Sequence, residues 1–166
     1  TFRISKNPAS IPNYKDVQKY FEETSLPNPT ASDIRKAVLE IRKTKFVDPS
    51  VMPNSGSFFK NPEVSRAIAE KIMARFPEVK PYPQDNKIFP LEDGNYKIAA
   101  GWLIQELGYK GKDFGRVRVD PNHALVLENK DNATQQDLLK LVTEIQKSAK
   151  EQYDIDLEPE PVIVSF

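Results

Sequence analysis

Tyr14, Val17, Tyr20 and Phe21 recur at helical spacing and predict a short helix over Tyr14 to Glu23. Pro27-Asn28-Pro29 breaks it. Beyond the break, Ile34, Ala37, Val38 and Ile41 stand at i, i+3, i+4 and i+7, an amphipathic helix over Thr30 to Lys43. Thr30-x-x-Asp33 reads as a capping box with Asp in place of the usual Glu or Gln. Arg42, Lys43 and Lys45 suit the negative end of that helix's dipole. Val64, Ala67, Ile68, Ile72 and Met73 share one side of a third helix, from about Pro62 to Arg75. Asn61 is placed to cap it and Pro62 to occupy its first position, where a missing N–H costs nothing. Ala99 to Ile104 opens a fourth helix with small residues that let another backbone approach, and Gly108 suits its left-handed cap. Thr134-x-x-Asp137 repeats the capping box. Leu138, Leu141, Val142, Ile145 and Ala149 then mark a long last helix to about Tyr153.

Alternation at a period of two is rarer. Thr1 to Ser5 alternates like a strand yet begins without a methionine or lead-in, so partner strands are expected upstream. Gly115 to Val119 and His123 to Glu128 read as two strands separated by Asp120-Pro121-Asn122. Asp85 to Tyr96 reads as a loop or short hairpin turning at Asp93-Gly94. After the stiff acidic passage Leu157-Glu158-Pro159-Glu160-Pro161, Val162-Ile163-Val164 reads as a closing strand. Phe46 to Asn54, with Pro49 and Pro53, is an extended connection and a candidate boundary. Helices interspersed with separated strands predict an α+β fold with a small mixed or antiparallel sheet. No strand runs through a glycine-rich turn into a helix, so the dinucleotide and phosphate-loop fingerprints are absent.

Composition narrows the chemistry. The 24 basic and 24 acidic residues cancel, which gives no footprint for nucleic acid or an anionic membrane. With no cysteine there is no disulfide, thiolate nucleophile or cysteine metal site, and one histidine excludes a two-histidine zinc site. His123, beside Ala124-Leu125-Val126, reads as structural. No apolar run approaches the roughly 20 residues of a membrane span, and no signal-peptide pattern opens the chain, so a cytoplasmic protein is expected.

The remaining candidates are hydroxyls, carboxylates and amines. Gly56-Ser57-Phe58-Phe59-Lys60-Asn61-Pro62 holds a serine between a conformationally free glycine and two anchoring rings, next to a predicted helix start that favours anions. Its plain reading is a buried Phe pair in a turn; its functional one is a rigidly held serine. Glu160, between two prolines, is either deliberately positioned or a solvent-edge residue. Lys45, Lys60 and Asn61 are able to bind carboxylate or phosphate, with a solvated helix end as the plain alternative for Lys45. Tyr82, between Pro81 and Pro83, is a packing residue or one whose hydroxyl reaches a ligand.

The heptapeptide resembles the signature of the UDP-N-acetylenolpyruvoylglucosamine reductase family of bacterial cell-wall synthesis. Further matches follow in the family's order. They are Ile41-Arg42-x-x-Lys45 with Asp48-Pro49, Tyr82-Pro83-Gln84, Ala99 to Ile104, His123 to Leu127, and Leu157 to Glu160. The resemblance implies reduction of UDP-N-acetylglucosamine enolpyruvate to UDP-N-acetylmuramate, with NADPH reducing FAD and the flavin passing hydride to the enol carbon. It implies Ser57 as proton donor, Glu160 as the assisting carboxylate, and Lys45, Asn61 and Tyr82 as substrate-binding residues. It assigns residues 1–46 to the end of a flavin-binding domain, 47–155 to the substrate domain, and 156–166 to a strand returning toward the N-terminal part. Most FAD contacts of the family precede Thr1. The chain therefore reads as a C-terminal portion that binds no cofactor tightly and does not turn over unaided.

Arg118 and Asp120 replace small residues and a frequent histidine of the family, Pro161 replaces a valine, and Pro53 and Ser55 alter the approach to Ser57. Two other readings stay open: a nucleotide-sugar binding module without redox work, and a structural domain in which Phe58-Phe59 is only core.

Overall fold

The computed structural model describes residues 11–45 and 47–164, with the side chain of Lys45 outside the described set. The predicted strand Thr1 to Ser5 lies outside it. The chain divides into two compact units, Thr1–Val51 and Met52–Phe166.

In the first unit, α1 (Lys15–Thr24) and α2 (Ala31–Lys45) form the two helices that the apolar spacing predicts. Val17, Phe21 and Ala37 are buried between them, with Ile11, Tyr20, Ile34 and Ile41 packed alongside. Ser25 ends α1 in the left-handed region, at φ 52°. The capping box of α2 is formed. The Thr30 N–H donates to the Asp33 carboxylate at 2.9 Å, and the Asp33 N–H donates to the Thr30 hydroxyl at 3.3 Å.

Among the described residues, the second unit contains two small antiparallel sheets and three helices. Its elements in order are β1 (Asn54–Ser57), β2 (Glu63–Val64), α3 (Arg66–Arg75), β3 (Ile88–Pro90), β4 (Tyr96–Ile98), α4 (Ala100–Glu106), β5 (Asp113–Phe114), β6 (Val117–Val119), β7 (Val126–Asn129) and α5 (Gln135–Tyr153). One sheet runs β1-β7-β6-β5 and the other β2-β4-β3. The fold is α+β. Val117, Val119 and Leu127 of the larger sheet share a core with Leu141, Val142, Ile145 and Ala149 of α5 and Ala100, Leu103 and Ile104 of α4. Those of α5 are the apolar positions whose spacing predicted that helix, and it is closed at its start by the Thr134–Asp137 capping box.

Three expectations need correction. The third helix begins at Arg66, not Pro62, and Ser65 caps it by accepting from the Ile68 N–H. Glu63 and Val64 instead pair with Lys97 and Tyr96. Cross-strand hydrogen bonds to a distant segment thus override the local Asn-Pro start signal. Second, His123–Leu125 is a turn and the strand starts at Val126, because the Asp120 carboxylate accepts from the N–H groups of Asn122 and His123 and curls the chain there. Third, Val162–Val164 forms no strand. The three residues are 89%, 46% and 53% exposed, and no strand pairs with them among the described residues. Apolar content without a partner edge does not make a strand.

Candidate functional site

The segment after β1 is tied to four other parts of its unit. Gly56 sits at φ +70°, within the register shift that separates the Asn54–Glu128 pair from the Ser57–Val126 pair. No atom lies within 4 Å of where its Cβ would be, so glycine is required here by backbone conformation and not by crowding. The Asn54 side chain braces the turn by accepting from the Gly56 N–H at 3.0 Å. Phe58 then donates from its N–H to the Leu125 carbonyl at 2.8 Å. The Leu125 side chain in turn packs so closely on α4 that a Cβ at Gly101 would meet its Cγ at 3.3 Å. The small residues of the fourth helix thus admit a leucine side chain where an approaching backbone was expected.

Phe58 and Phe59 are 2% and 1% exposed and meet edge to face, with ring centroids 5.2 Å apart. The buried-pair reading of the heptapeptide holds: the rings are core, and Ser57 is the residue just before them. Ser57 itself is exposed. Among the described residues its hydroxyl has no hydrogen-bond partner, so it is free to serve a ligand. It is not next to a helix start, as the sequence implied. The nearest role of that kind falls to Asn61, whose side-chain oxygen accepts from the Ala100 N–H at 2.9 Å at the start of α4. With its oxygen committed, Asn61 has only its NH2 group to offer outward.

Glu160 arrives from the far end of the chain on a strap that pairs with this segment. Phe59 and Pro159 form an antiparallel bridge, the Lys60 N–H donates to the Glu158 carbonyl at 2.9 Å, and the Glu160 N–H donates to the Phe58 carbonyl at 2.8 Å. Glu160 therefore stands across from the residue that follows Ser57. An ion pair between Lys60 Nζ and Glu158 Oε2, 2.9 Å, crosses the same seam in solvent. Beside it lies a cleft of about 810 Å³ lined by Lys60, Asn61, Glu63, Lys97, Glu158 and Glu160, among others. Lys97 is paired with Glu63 at 3.0 Å.

Of the six residues singled out in the sequence, Lys60, Asn61 and Glu160 line this cleft, and Ser57 precedes Phe58, whose carbonyl accepts from the Glu160 N–H. Tyr82 does not line it. Tyr82 precedes a cis peptide bond to Pro83, is 56% exposed, and rests its ring on Phe89 with centroids 5.5 Å apart. The irregular stretch after it is stapled by Lys87 and Asp85 at 3.0 Å, and the hydrogen bond from Lys87 holds the Asp85 carboxyl below its usual range. Lys45 closes α2 in the other unit. Glu158 and Lys97 were not singled out. Glu158 was legible in principle, since residues two apart on an extended strap share a side and Glu160 was already flagged. Lys97 carried no signal, because only the β2–β4 pairing brings it to the cleft. Among the described residues no group of three His, Asp or Glu could hold a metal ion. No helix among them is long and apolar enough to cross a membrane.

The fold and cleft thus define an α+β domain that presents an exposed serine and a glutamate on backbone-paired segments at one end of a sheet. Residues 48–164 match the family model described as UDP-N-acetylenolpyruvoylglucosamine reductase, C-terminal domain, and the chain belongs to that family. A UDP-N-acetylenolpyruvoylglucosamine reductase of Chromobacterium violaceum is 38% identical over 163 residues, which are 98% of this chain and 46% of the relative. Proteins of the same name from Bordetella pertussis and Burkholderia lata are 41% and 42% identical, with 44% and 45% of their lengths covered. The chain spans less than half the length of these curated relatives.

Proposed function

We propose that this chain is the substrate-binding, proton-donating part of a flavoenzyme that reduces UDP-N-acetylglucosamine enolpyruvate to UDP-N-acetylmuramate with NADPH, in the cytoplasm, for peptidoglycan synthesis. The observation that carries the reading is Ser57, whose hydroxyl is exposed and unbonded among the described residues on a backbone held rigid from four sides.

Reduction of the enolpyruvyl double bond adds a hydride to one carbon and a proton to its neighbour. Hydride addition leaves a carbanion or enolate beside a carboxylate, basic enough to take a proton from a serine hydroxyl despite its weak acidity. Ser57 supplies that proton and is left as an alkoxide to be reprotonated from solvent. Glu160, across the seam, orients the reacting group. Asn61 offers its NH2 donors to an anionic part of the substrate, and Lys45 and Tyr82 complete the binding set in the whole enzyme. The cleft does not fit FAD. Glu63, Asp156, Glu158 and Glu160 face two lysines in its lining, where an isoalloxazine needs an apolar plane. We therefore assign FAD and the NADPH that reduces it to the part of the enzyme these relatives have beyond the matched length, and derive no step of this chain through them.

In the whole enzyme, Ser57→Ala should leave NADPH-dependent flavin reduction intact while product formation is lost. Normal product formation in that variant would remove Ser57 from the mechanism.

A further inference from the structure

Glu128 and Asp120 are the buried charged residues of the Met52–Phe166 unit among those described, at 1% and 3% exposure. Strand register puts them together. Arg118 is the cross-strand partner of Glu128, and the Asp120 N–H donates to the Val126 carbonyl at 2.9 Å. Arg118 directs both Nε and Nη2 to one oxygen of Glu128, Oε2, each at 2.6 Å. The other oxygen, Oε1, is buried and has no hydrogen-bond partner among the described residues. Asp120 spends its Oδ1 on the N–H groups of Asn122 and His123, at 2.6 and 2.7 Å, an arrangement that suits a carboxylate.

Two buried carboxylates against one guanidinium leave the cluster a net charge short of neutral, and an ionised Glu128 would strand an oxygen away from water. One proton on Glu128 removes both faults. It makes the cluster neutral and gives the Glu128 carboxyl an O–H to donate. We propose that Glu128 and Asp120 share one proton as a buried carboxyl–carboxylate pair, with Glu128 the neutral partner, and that the pair is a pH-sensitive lock on the β6–β7 seam.

The surrounding groups agree. Burial is the largest influence on the Glu128 carboxyl and pushes it up. The Arg118 hydrogen bond pulls it down, and the neighbouring Asp120 carboxyl pushes it up again, with a net rise. From β1, the facing residue is Asn54, which carries no charge. His123, on the turn held by Asp120, is a further titratable group beside the pair.

A carboxyl whose folded pKa is raised binds a proton in the folded state that the unfolded chain has released. Its stabilising effect is complete below the ordinary glutamate range and is lost as pH rises through the folded value. Glu128→Gln mimics the neutral acid, since its amide donates toward Asp120 while its oxygen accepts from Arg118. Urea denaturation of the 166-residue chain should therefore show wild type losing ground to Glu128→Gln by up to about tenfold in the folding equilibrium constant per pH unit within that window. His123→Gln should keep the wild-type slope. A pH-independent gap, wild type gaining on Glu128→Gln as pH rises, or a slope abolished by His123→Gln would overturn the proposal. If Glu128→Gln fails to fold, carboxyl carbon NMR of wild type decides. Glu128 should titrate above the exposed glutamates, and titration with or below them would end the idea.

Discussion

The β1–β7 pair carries two polar sites on the same face of one sheet, and they are solvated in opposite ways. Ser57 is opposite Val126 at one end, and Glu128 is opposite Asn54 two residues along β7. Residues two apart share a face, so the serine and the glutamate point the same way. Yet Ser57 is exposed and unbonded, while Glu128 is sealed and held by Arg118. At the serine, rigidity comes from neighbours: two buried rings, a positive-φ glycine and backbone bonds fix the main chain and leave the side chain free. At the glutamate, the side chain is itself the constraint. A group meant to meet a ligand keeps its hydrogen-bonding capacity unspent, and one that holds strands together spends it internally.

Five substitutions sharpen or break that contrast, from the largest effect to the smallest. Phe59→Ala should cost about 3–5 kcal/mol in chemical denaturation, because it empties a fully packed site beneath the serine. A loss below 1 kcal/mol would mean that the rings do not anchor the segment. Arg118→Met should cost roughly 2 kcal/mol at neutral pH by leaving a buried carboxyl without its donors. A loss below roughly 0.5 kcal/mol would mean that the guanidinium does not hold that carboxyl. Asn61→Ala leaves the first N–H of α4 without its acceptor and should lower stability by about 1 kcal/mol, read from the urea midpoint, with Asn61→Asp recovering most of it. Gly56→Ala should cost about 1 kcal/mol from backbone conformation alone, and crystallography of the variant should show β1 intact, since nothing crowds the new methyl. Ser57→Ala should change thermal stability by no more than roughly 0.5 kcal/mol. A larger loss would show that the hydroxyl is structural and would blur the distinction between the two ends of the strand pair.

Periodicity alone located α1, α2 and α5, because each buries a continuous apolar stripe and carries local caps or breakers. The Asp93-Gly94 hairpin was legible for the same local reason. The start of α3 was not. Asn61-Pro62 has the chemistry of a helix start, but Glu63 and Val64 gain more from pairing with β4, and that partner lies more than thirty residues away. Val162–Val164 failed in the opposite sense, with strand-like residues and no edge to join.

The candidate site divides along the same line. Ser57, Asn61 and Glu160 stood out in the chain because a glycine, two rings and flanking prolines restrict the backbone within a few residues, and the roles proposed for them rest on the family resemblance. That Glu160 stands across from Phe58, that Lys97 joins the cleft, and that Asn61 spends its oxygen on α4 instead of capping α3 are consequences of pairing between distant segments. The buried proton site is the extreme case. Arg118, Asp120 and Glu128 look like surface charges in a soluble strand pair, and only the register of β6 on β7 turns them into a sealed cluster. Local conformational preference acts over a few residues and can be read along the chain; desolvation depends on what the rest of the chain brings to the same place.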